Sequence, residues 1–263
     1  MIPVLKWAGG KRWFLKHHRD LLTENFNRYI EPFVGSGAVF FHLEPDRALL
    51  GDSNKDLIDA YRALQHHGNE IEELLIEHHH NHSKEYYYNV RVQEPQTLIE
   101  GAARFIYLNR TCFNGIYRVN KAGNFNVPIG TRTSVLLPTD DFANISTILQ
   151  RAELHVSDFE PLIDQATRGD LLFVDPPYTV RHNLNGFIKY NEILFSWEDQ
   201  QRLAESLNRA KERGAKIVAT NANHESVRNL YETRFHLQQV SRYSSISGTS
   251  DSRKQYEELI IIG

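Results

Sequence analysis

The stretch Leu171-Leu172-Phe173-Val174-Asp175-Pro176-Pro177-Tyr178 decides the fold of this chain. Its four apolar residues, without a polar break, predict a strand that is buried on both faces, as in a parallel sheet. The strand must end near Asp175, because the two prolines that follow lack an amide hydrogen and fix φ. Open α/β sheets bind their ligands at the carboxyl ends of such strands. We therefore expect an α/β protein with a ligand site around Asp175 and Tyr178.

The residue types from Asp175 to Tyr178 suit the activation of an amine on an aromatic ring. The lone pair of such an amine is delocalised, so the nitrogen is a poor nucleophile. The Asp175 carboxylate and the Pro176 carbonyl can both accept hydrogen bonds from the NH2 group, which favours a tetrahedral nitrogen whose lone pair points at an electrophile. Tyr178 can stack on the ring, a contact worth roughly 1–3 kcal/mol. The alternative is a proline-rich turn with an incidental aspartate.

The composition is that of an ordinary globular protein. The 263 residues, 41% hydrophobic and 24% charged, suit one large α/β domain or a domain with an insertion. No apolar run approaches the roughly 18–20 residues of a membrane span, and the first residues lack the plan of a signal peptide. The single cysteine, Cys112, excludes an internal disulfide and fits a reducing compartment. We expect a cytoplasmic protein without a membrane partner.

The charges are unevenly distributed along the chain. The net charge is −3, yet residues 1–19 and residues 101–139 each carry five lysines or arginines and no acid. Such a two-sided distribution suits a protein that grips phosphates on one face, although a solvated surface would explain it equally well.

Two glycine-containing motifs near the start indicate a nucleotide-like ligand. In Lys6-Trp7-Ala8-Gly9-Gly10-Lys11 the glycines let a ligand approach the backbone, with Trp7 as a stacking surface and Lys11 as a cation. Residues 28–32 then predict a strand, and residues 33–41 predict a glycine turn that enters a helix and presents backbone N–H groups. Phe40 stands where a dinucleotide-binding fingerprint would have its third glycine, which disfavours a nicotinamide dehydrogenase.

A second predicted strand, residues 47–52, ends in Asp52. A carboxylate in that position suits the two hydroxyls of a ribose. The alternative role for Asp52 is a helix cap, since Ser53 and Asn54 could begin the next helix.

Strand–helix alternation stops between residues 56 and 150. The pattern there predicts successive helices over residues 56–66, 70–80, 84–93 and 96–109, which indicates a mainly helical insertion. His78, His79, His80 and His82 invite a metal site, but consecutive helical residues point in different directions and metal-ligand spacing is absent. We expect no metal. Alternation resumes at residue 153, and strands are predicted at 215–220, 235–240 and 256–262 with helices over 197–213 and 224–233.

The segment from Ile106 to Gly130 interleaves aromatic residues, asparagines and arginines without an acid. Its turn at residues 121–124, between two β-type runs, predicts a hairpin. Such a hairpin could enter a DNA groove, with Arg118 bidentate to guanine and Asn114 or Asn120 bonded to other bases. A polar hairpin packed on helices is the alternative, but it does not explain the missing acids.

Four motifs, in this order, resemble the Dam-type DNA adenine-N6 methyltransferases: Lys-Trp-Ala-Gly-Gly-Lys at 6–11, Glu-Pro-Phe-Val-Gly-Ser-Gly at 31–37, Gly-Asp-Ser-Asn at 51–54 and Asp-Pro-Pro-Tyr at 175–178. The Asn-Arg-x-x-Phe-Asn-Gly run at 109–115 is also similar. The resemblance implies a Rossmann-like methyltransferase sheet, an S-adenosylmethionine cofactor released as S-adenosylhomocysteine, and a double-stranded DNA substrate. It also implies a catalytic domain of residues 1–55 and 151–263 and an inserted target-recognition domain of residues 56–150.

The resemblance further implies a role for individual residues. The implied cofactor contacts are Trp7, Lys11, Phe33, Gly35, Gly37, Asp52, Asp158, Phe159 and Asp175. The implied catalytic residues at a flipped adenine are Asp175, Pro176, Pro177 and Tyr178. The implied DNA contacts are Lys6, Phe113, Asn114, Ile116, Arg118 and Pro128. Phe113 stands where close relatives often have tyrosine, so it keeps a stacking surface and lacks a phenolic hydrogen bond.

The expected reaction is in-line transfer of the sulfonium methyl group to adenine N6, with the base out of the duplex. Phe113, Asn114 and Ile116 are the candidates for filling the gap that the base leaves. Cytosine-N4 methylation is the nearest alternative, since it needs the same amine activation. Methylation of RNA or of protein glutamine and a non-catalytic DNA-binding regulator are more distant alternatives, and Cys112 lacks the Pro-Cys context of cytosine-C5 methylation. GATC is the first expected recognition sequence, and a protein partner does not follow from the sequence.

Overall fold

The computed structural model describes residues 1–7, 9–22, 25–120, 123–179, 195–243 and 255–263. Within those residues the strands form a seven-stranded, mostly parallel sheet in the order β3-β2-β1-β4-β5-β7-β6. The strands are β1 Tyr29–Glu31, β2 Ala48–Asp52, β3 Ala152–Val156, β4 Leu171–Val174, β5 Lys216–Ala222, β6 His236–Tyr243 and β7 Gln255–Ile262. The predicted Rossmann-like α/β fold is therefore confirmed.

The described helices alternate with the strands as far as β6, except between β2 and β3, where four helices follow one another. They are α1 Arg12–His18, α2 Ala38–Leu43, α3 Lys55–Asn81, α4 Lys84–Val92, α5 Leu98–Thr111, α6 Phe142–Leu149, α7 Phe159–Ile163, α8 Trp197–Glu212 and α9 Glu225–Tyr231. Short 3₁₀ turns occupy Arg19–Leu21 and Phe113–Gly115. None of these described helices has the length and apolarity that a membrane crossing requires.

Strand β4 is buried along its whole length, as its unbroken apolar sequence predicts. It pairs in parallel with β1 on one side and with β5 on the other, in the registers Ile30↔Leu172 and Leu172↔Ile217. A strand with neighbours on both edges and helices over its faces has no solvated side, which explains why it carries no polar residue. Asp175 is the first residue after the strand, so the chain leaves the sheet at its carboxyl end.

Strand β7 is antiparallel to both of its neighbours and lies between β5 and β6. The register places Ile260 opposite Thr220 and Glu258 opposite Ala222. Leu259, Ile260 and Ile261 are fully buried, which is why this strand is continuously apolar after Glu258.

The chain forms two compact units. The first comprises residues 1–19 and 34–156, and the second comprises residues 20–33 and 157–263. In the first unit, helix α3 runs through the predicted gap at residues 67–69 with a kink at His67, where φ is −132°. A Cβ at Gly68 would lie 2.6 Å from the Phe142 carbonyl oxygen, so α3 and α6 approach closely at this point.

One expectation about helix length was wrong, and another agrees with a break in the structure. The pattern after residue 11 predicts a helix to about Phe26, but α1 ends at His18 and a single 3₁₀ turn follows. The predicted pair of helices at 56–66 and 70–80 corresponds to the two helical stretches of α3, which meet at the kink at His67, where the backbone is non-helical. The assignment of residues 56–150 to target recognition is a functional division and stays a prediction.

Candidate functional site

In the second unit, Asp175 lies at the end of β4 with its carboxylate oriented by a neighbouring strand. It is half-buried, and its Oδ1 accepts a hydrogen bond from the Thr220 hydroxyl of β5 at 2.8 Å. Pro176 is buried, and the carbonyl oxygen of Pro177 accepts a bond from Gln200 Nε2 of α8 at 3.3 Å. The carboxylate and the proline turn are thus both attached to the scaffold, which is how a site gains a defined geometry.

Tyr178 is held by a buried carboxyl group. Its hydroxyl donates to Glu258 Oε2 of β7 at 2.8 Å. Burial, together with the charges of Asp175 and Glu258, raises the pKa of the Tyr178 phenol well above its usual value. The phenol therefore stays protonated and acts as a hydrogen-bond donor, while the ring remains partly exposed and able to stack. The sequence analysis did not single out either Thr220 or Glu258.

An aromatic cluster with a charged rim lies in the same unit at the start of α7. Phe33 stacks on Phe159 with ring centroids 5.4 Å apart, and Phe195 contacts both rings at 5.6 and 5.5 Å. The guanidinium of Arg202 lies 4.4 Å from the Phe159 ring centroid. The predicted cofactor contacts Phe33 and Phe159 therefore lie together, against two further side chains, Phe195 and Arg202, that no sequence motif indicated.

The third predicted residue here, Asp158, caps α7 and forms an ion pair. Its Oδ1 accepts from the Glu160 amide at 2.9 Å, and both of its oxygens accept from Arg202 at 2.8 Å. Arg202 also pairs with Asp199 and Glu160 at 2.8 and 3.1 Å, and these hydrogen bonds, led by that from Asp158, raise the guanidinium pKa. The Asp158 carboxylate is fixed in place before any ligand arrives.

In the first unit, the glycine turn and Asp52 form one hydrogen-bonded structure. Asp52 Oδ2 accepts from the Gly35 amide at 3.2 Å, and its Oδ1 accepts from the Asn54 amide at 2.9 Å. The Tyr61 hydroxyl donates to the Gly35 carbonyl at 2.8 Å. Burial raises the Asp52 pKa, and the bonds from the backbone amides of Asn54, Gly35 and Ser53 oppose that rise.

The helix-cap alternative for Asp52 is wrong. Helix α3 is capped by Asn54, whose side-chain oxygen accepts from the Leu57 amide at 3.2 Å. Asp52 lies two residues before the cap and holds the glycine turn instead. A carboxylate has about four acceptor positions, so the bonds from backbone amides leave Asp52 able to accept a further hydrogen bond from a ribose hydroxyl. The Asp52 acceptor and the glycine turn beside it therefore fit the ribose of a nucleoside.

The glycines of the turn are required by close approaches within the unit. Gly35 has φ +47°, and a Cβ there would lie 2.7 Å from Trp7 Cδ1. Gly37 has φ +64°, precedes the first residue of α2, and would place a Cβ 3.1 Å from the Phe41 ring. Positive φ favours glycine at both positions. The predicted Trp7 surface thus lies directly on the predicted Gly35 turn.

Trp7 is part of a stack that reaches the hairpin segment. Its ring stacks on Tyr117 at 6.3 Å and on Phe105 of α5 at 6.5 Å, and Tyr117 contacts Phe105 at 4.5 Å. The Tyr117 hydroxyl bonds to the Asp56 carboxylate at the start of α3. Lys11, by contrast, is buried, and its Nζ donates to the Gly9 carbonyl at 2.9 Å, so it stabilises the N-terminal loop.

The predicted hairpin at residues 117–126 exists as a short element with single bridges. Val119 pairs with Phe125, and the amides of Asn120 and Asn126 donate to the carbonyls of Asn124 and Arg118 at 2.9 and 3.2 Å. Lys121 and Ala122, in the predicted turn, lie outside the described residues. Arg118 is exposed, and its Nε donates to the Asn126 side chain at 3.0 Å.

The turn before the hairpin projects apolar side chains into solvent. Phe113 and Ile116 are 52% and 40% exposed, unusually high for such residues. Between them, Asn114 has φ +56° and Gly115 has φ +65°, so two consecutive left-handed residues form the turn. The Phe113 amide donates to the Pro128 carbonyl at 2.9 Å, which anchors the base of the turn. Six of the predicted DNA-contacting residues, Phe113, Asn114, Ile116, Arg118, Asn120 and Pro128, are exposed in this one unit.

Lys6 lies beneath this turn, near the positive charges of Arg110 and Arg132. Its side-chain carbons contact Gly115, where a Cβ would lie 3.0 Å from Lys6 Cβ, and its Nζ donates to the Arg110 carbonyl at 3.3 Å. Burial, reinforced by the nearby charges of Arg132 and Arg110, lowers the Lys6 pKa to about 8. An anion that binds at this position would stabilise the charged form of Lys6.

Two polar residues that the sequence placed in the DNA-contacting run are structural. Asn109 is fully buried, and its amide bonds to both the N–H and the carbonyl of Lys6 at 2.8 Å. Arg110 is 1% exposed; it donates to the carbonyls of Val4 and Val135 and makes a bidentate pair with Asp140. A signal existed: Arg110 follows Ala103, Ile106 and Tyr107 at helical spacing, on the buried face of α5.

The histidines at the end of α3 bond to tyrosines. His78 Nδ1 lies 2.8 Å from the Tyr86 hydroxyl and its ring stacks on Tyr107 at 4.7 Å, while His82 Nδ1 lies 2.9 Å from the Tyr107 hydroxyl. Burial lowers the His78 pKa to about 4, which keeps the ring neutral. Across the described part of the chain, no three histidine, cysteine or carboxylate side chains form a metal-binding group.

Comparison with known proteins finds relatives along nearly the whole chain. A type II methyltransferase, M1.LlaDCHI, from Lactococcus lactis subsp. cremoris is 33% identical over 268 residues, which cover 98% of this chain and 94% of the relative. The DNA adenine methylase of Vibrio cholerae is 32% identical, with coverage of 98% and 94%. The DNA N-6-adenine-methyltransferase of Escherichia phage P1 is 36% identical over 95% of this chain and 34% of its own length.

The family model of the D12 class N6 adenine-specific DNA methyltransferases matches residues 7–246. That range includes both glycine motifs, the helical insertion, the hairpin and the Asp-Pro-Pro-Tyr turn. The methyl group of the reaction is thus placed on an exocyclic ring amine, as the residues after β4 suggested. The chain belongs to the D12 class of N6 adenine-specific DNA methyltransferases.

Proposed function

We propose that the chain transfers the methyl group of S-adenosylmethionine to the N6 amine of an adenine flipped out of double-stranded DNA, with Asp175, Pro176, Pro177 and Tyr178 as the catalytic turn. The observation that carries the assignment is Asp175, a half-buried carboxylate at the end of β4 whose Oδ1 is oriented by the Thr220 hydroxyl. Its position on a stiff proline turn suits an acceptor for the amine hydrogens.

The turn activates the nitrogen by hydrogen bonding. The Asp175 carboxylate and the Pro176 carbonyl accept the two N–H bonds, which directs the N6 lone pair away from the ring plane. The Tyr178 ring stacks on the base and fixes its angle. S-adenosylmethionine, when bound, supplies an electrophilic methyl group on a sulfonium. The negative charge of Asp175 then stabilises the positive charge that develops on N6 in the transition state.

We assign cofactor binding to two groups of residues. In the first unit Asp52 accepts from a ribose hydroxyl, the Gly35–Gly37 turn gives close backbone approach, and Trp7 and Lys11 shape the adjoining loop. In the second unit Phe33, Asp158 and Phe159 provide an adenine surface, since their rings and carboxylate are already ordered by Phe195 and Arg202. The chemistry of these groups, an acceptor for a ribose hydroxyl and an aromatic face for a purine, supports the assignment. The product would be S-adenosylhomocysteine, and no metal enters the reaction.

We assign DNA binding to the exposed turn and hairpin. Phe113, Asn114 and Ile116 fill the space that the flipped base vacates, because an exposed aromatic and an exposed aliphatic side chain can stack on its neighbours. Arg118 and Asn120 read base edges, and Lys6 and Pro128 support the turn against the backbone of the DNA. The Asn-Arg-x-x-Phe-Asn-Gly run makes GATC the first sequence to test. The enzyme would act in the cytoplasm of a bacterium, or of an infected host if a phage encodes it.

The decisive experiment compares Asp175→Ala with the parent enzyme. We expect the variant to lose methyl transfer to DNA while keeping its circular dichroism spectrum and thermal midpoint. Asp46→Ala, which removes an exposed carboxylate, is the matched control and should keep full activity. Labelled S-adenosylmethionine and defined duplexes measure the transfer. Normal turnover by Asp175→Ala would refute the catalytic assignment.

The same incubation separates the remaining alternatives. Digestion of the methylated DNA to nucleosides distinguishes N6-methyladenine from N4-methylcytosine, and mapping of the modified positions gives the recognition sequence. Specific DNA binding without cofactor-dependent transfer would indicate a regulator.

A further inference from the structure

Glu258 is a buried carboxyl group that the reaction described above does not use. It lies on β7, is 2% exposed, and its Oε2 accepts a hydrogen bond from the Tyr178 hydroxyl at 2.8 Å. Glutamate is rarely this deeply buried, because removing a carboxyl group from water is costly unless specific bonds compensate. The bond to Tyr178, 80 residues away in the chain, is one bond that compensates for the burial of this carboxyl group.

Thr220 orients the catalytic carboxylate from the neighbouring strand. It is fully buried on β5 and donates to Asp175 Oδ1 at 2.8 Å. Each hydroxyl has a single proton to donate. The Tyr178 proton goes to Glu258 and the Thr220 proton goes to Asp175, so Tyr178 and Asp175 are each held by a separate hydrogen bond from the scaffold.

We propose that Glu258 is a positioning residue for methyl transfer, which acts through the Tyr178 hydroxyl. The proposal rests on the proposed function, since it concerns the same catalytic turn. Both partners come from strands of the second unit, so the turn is fixed by the sheet. Methyl transfer requires the amine of the base to lie in line with the methyl donor. Its rate constant therefore falls steeply when the stacking ring or the hydrogen-bond acceptor is misplaced.

The first test replaces the acceptor and leaves the volume. Glu258→Met leaves the buried Tyr178 hydroxyl without this acceptor, whereas Glu258→Gln keeps an oxygen in the same place. We expect the single-turnover rate constant of Glu258→Met to fall about 5- to 100-fold, the range associated with an unsatisfied buried hydroxyl. Glu258→Gln should stay within about threefold of the parent, because a neutral acceptor serves the same hydroxyl.

The neighbouring residue provides the matched control. Glu257 is exposed on the opposite side of β7, where it accepts from Asn223 Nδ2 at 2.8 Å. Glu257→Met should leave the rate constant unchanged. Dissociation constants for DNA and for S-adenosylmethionine should stay constant in all three variants. A purely structural Glu258 would instead lower the thermal midpoint without a selective effect on the rate constant.

A double-mutant cycle isolates the route of the effect. Tyr178→Phe removes the hydroxyl and keeps the ring. If Glu258 acts through that hydroxyl, adding Glu258→Met to Tyr178→Phe should change the rate constant less than about twofold, since coupled residues are not additive. Additive losses, or full activity of a folded Glu258→Met, would overturn the proposal. An inactive parent enzyme would instead refute the proposed function, so the two failures are distinguishable.

Discussion

The run from Asn109 to Arg118 has two halves that are alike in composition and opposite in structure. Asn109 and Arg110 are buried and bond to the backbone of residues 4–6 and to Asp140. Asn114 and Arg118, a few residues later, are exposed on a left-handed turn and a hairpin. An asparagine and an arginine thus stabilise the fold in one half and are available to a ligand in the other. Composition alone does not separate these roles; the position on the buried face of α5 does.

The largest expected effect comes from replacing Arg110, in the buried half of the run. Arg110→Met removes the bidentate partner of Asp140 and leaves a buried carboxylate unpaired. We expect the free energy of unfolding to fall by about 3–5 kcal/mol. Urea denaturation measures it. Arg118→Met, the matched change in the exposed half, should alter stability by less than about 0.5 kcal/mol; equal losses would erase the distinction.

Asn109→Ala should have the next largest effect. The Asn109 amide makes paired bonds to the backbone of Lys6, and its loss leaves those groups without this partner. We expect a loss of about 1–3 kcal/mol of unfolding free energy. Hydrogen exchange should also become faster in residues 4–7. Asn126→Ala, in the exposed hairpin, is the comparison variant, and protection of residues 4–7 that does not change would show that other contacts hold this segment.

In the exposed half of the run, Arg118→Ala should change DNA sequence recognition while the free energy of unfolding stays constant. Loss of a bidentate base contact should reduce discrimination for the target duplex by about 1–3 kcal/mol. Fluorescence anisotropy with the target duplex and with a scrambled duplex of equal composition measures both affinities. An equal loss on the two duplexes would reassign Arg118 to a phosphate contact.

The smallest expected effect is a pH dependence at Lys6, which lies between the two halves. Its pKa of about 8 means that the ammonium deprotonates in the free protein as the pH rises from 7 to 9. A phosphate contact needs the charged form, so DNA affinity should weaken a few-fold over that range, the size expected for one phosphate contact. Lys6→Arg stays charged and should weaken less.

The lowered Lys6 pKa also predicts how the free energy of unfolding changes with pH. Between pH 8 and the ordinary lysine value, the folded protein binds fewer protons than the unfolded chain, so the Lys6 contribution makes the free energy of unfolding rise with pH. Chemical denaturation at several pH values, compared between the parent and Lys6→Arg, tests this. A slope in the opposite direction would mean that Lys6 is stabilised as the ammonium.

Much of the fold followed from local sequence. The apolar run before Asp175 and the glycine turn before α2 predicted buried strands and their ends, because periodicity and turn chemistry are local properties. A helix break near residue 67 was predicted, but its form as a kink within one element was not, since α6 approaches Gly68 closely at this point. Helix α1 ended early for a similar reason: the pattern after residue 18 is compatible with a helix, and tertiary contacts decide the outcome.

The candidate site was predictable where a motif contains the chemistry, as with Asp52 and Asp175. Its supporting residues were not, because Thr220, Glu258 and Arg202 reach the site from distant strands and helices. One weak signal existed for Glu258: it alternates with Ile260 and Ile262, and so shares a strand face with apolar residues.

The strand order has a consequence for the biogenesis of the enzyme. Because β7 lies between β5 and β6, strand β6 leaves the ribosome before the strand to which it must pair. Tyr178 is synthesised 80 residues before Glu258, so a nascent chain that stops short of β7 contains every residue of the Asp-Pro-Pro-Tyr turn without its anchor. The catalytic turn would then gain its Glu258 anchor only late in synthesis.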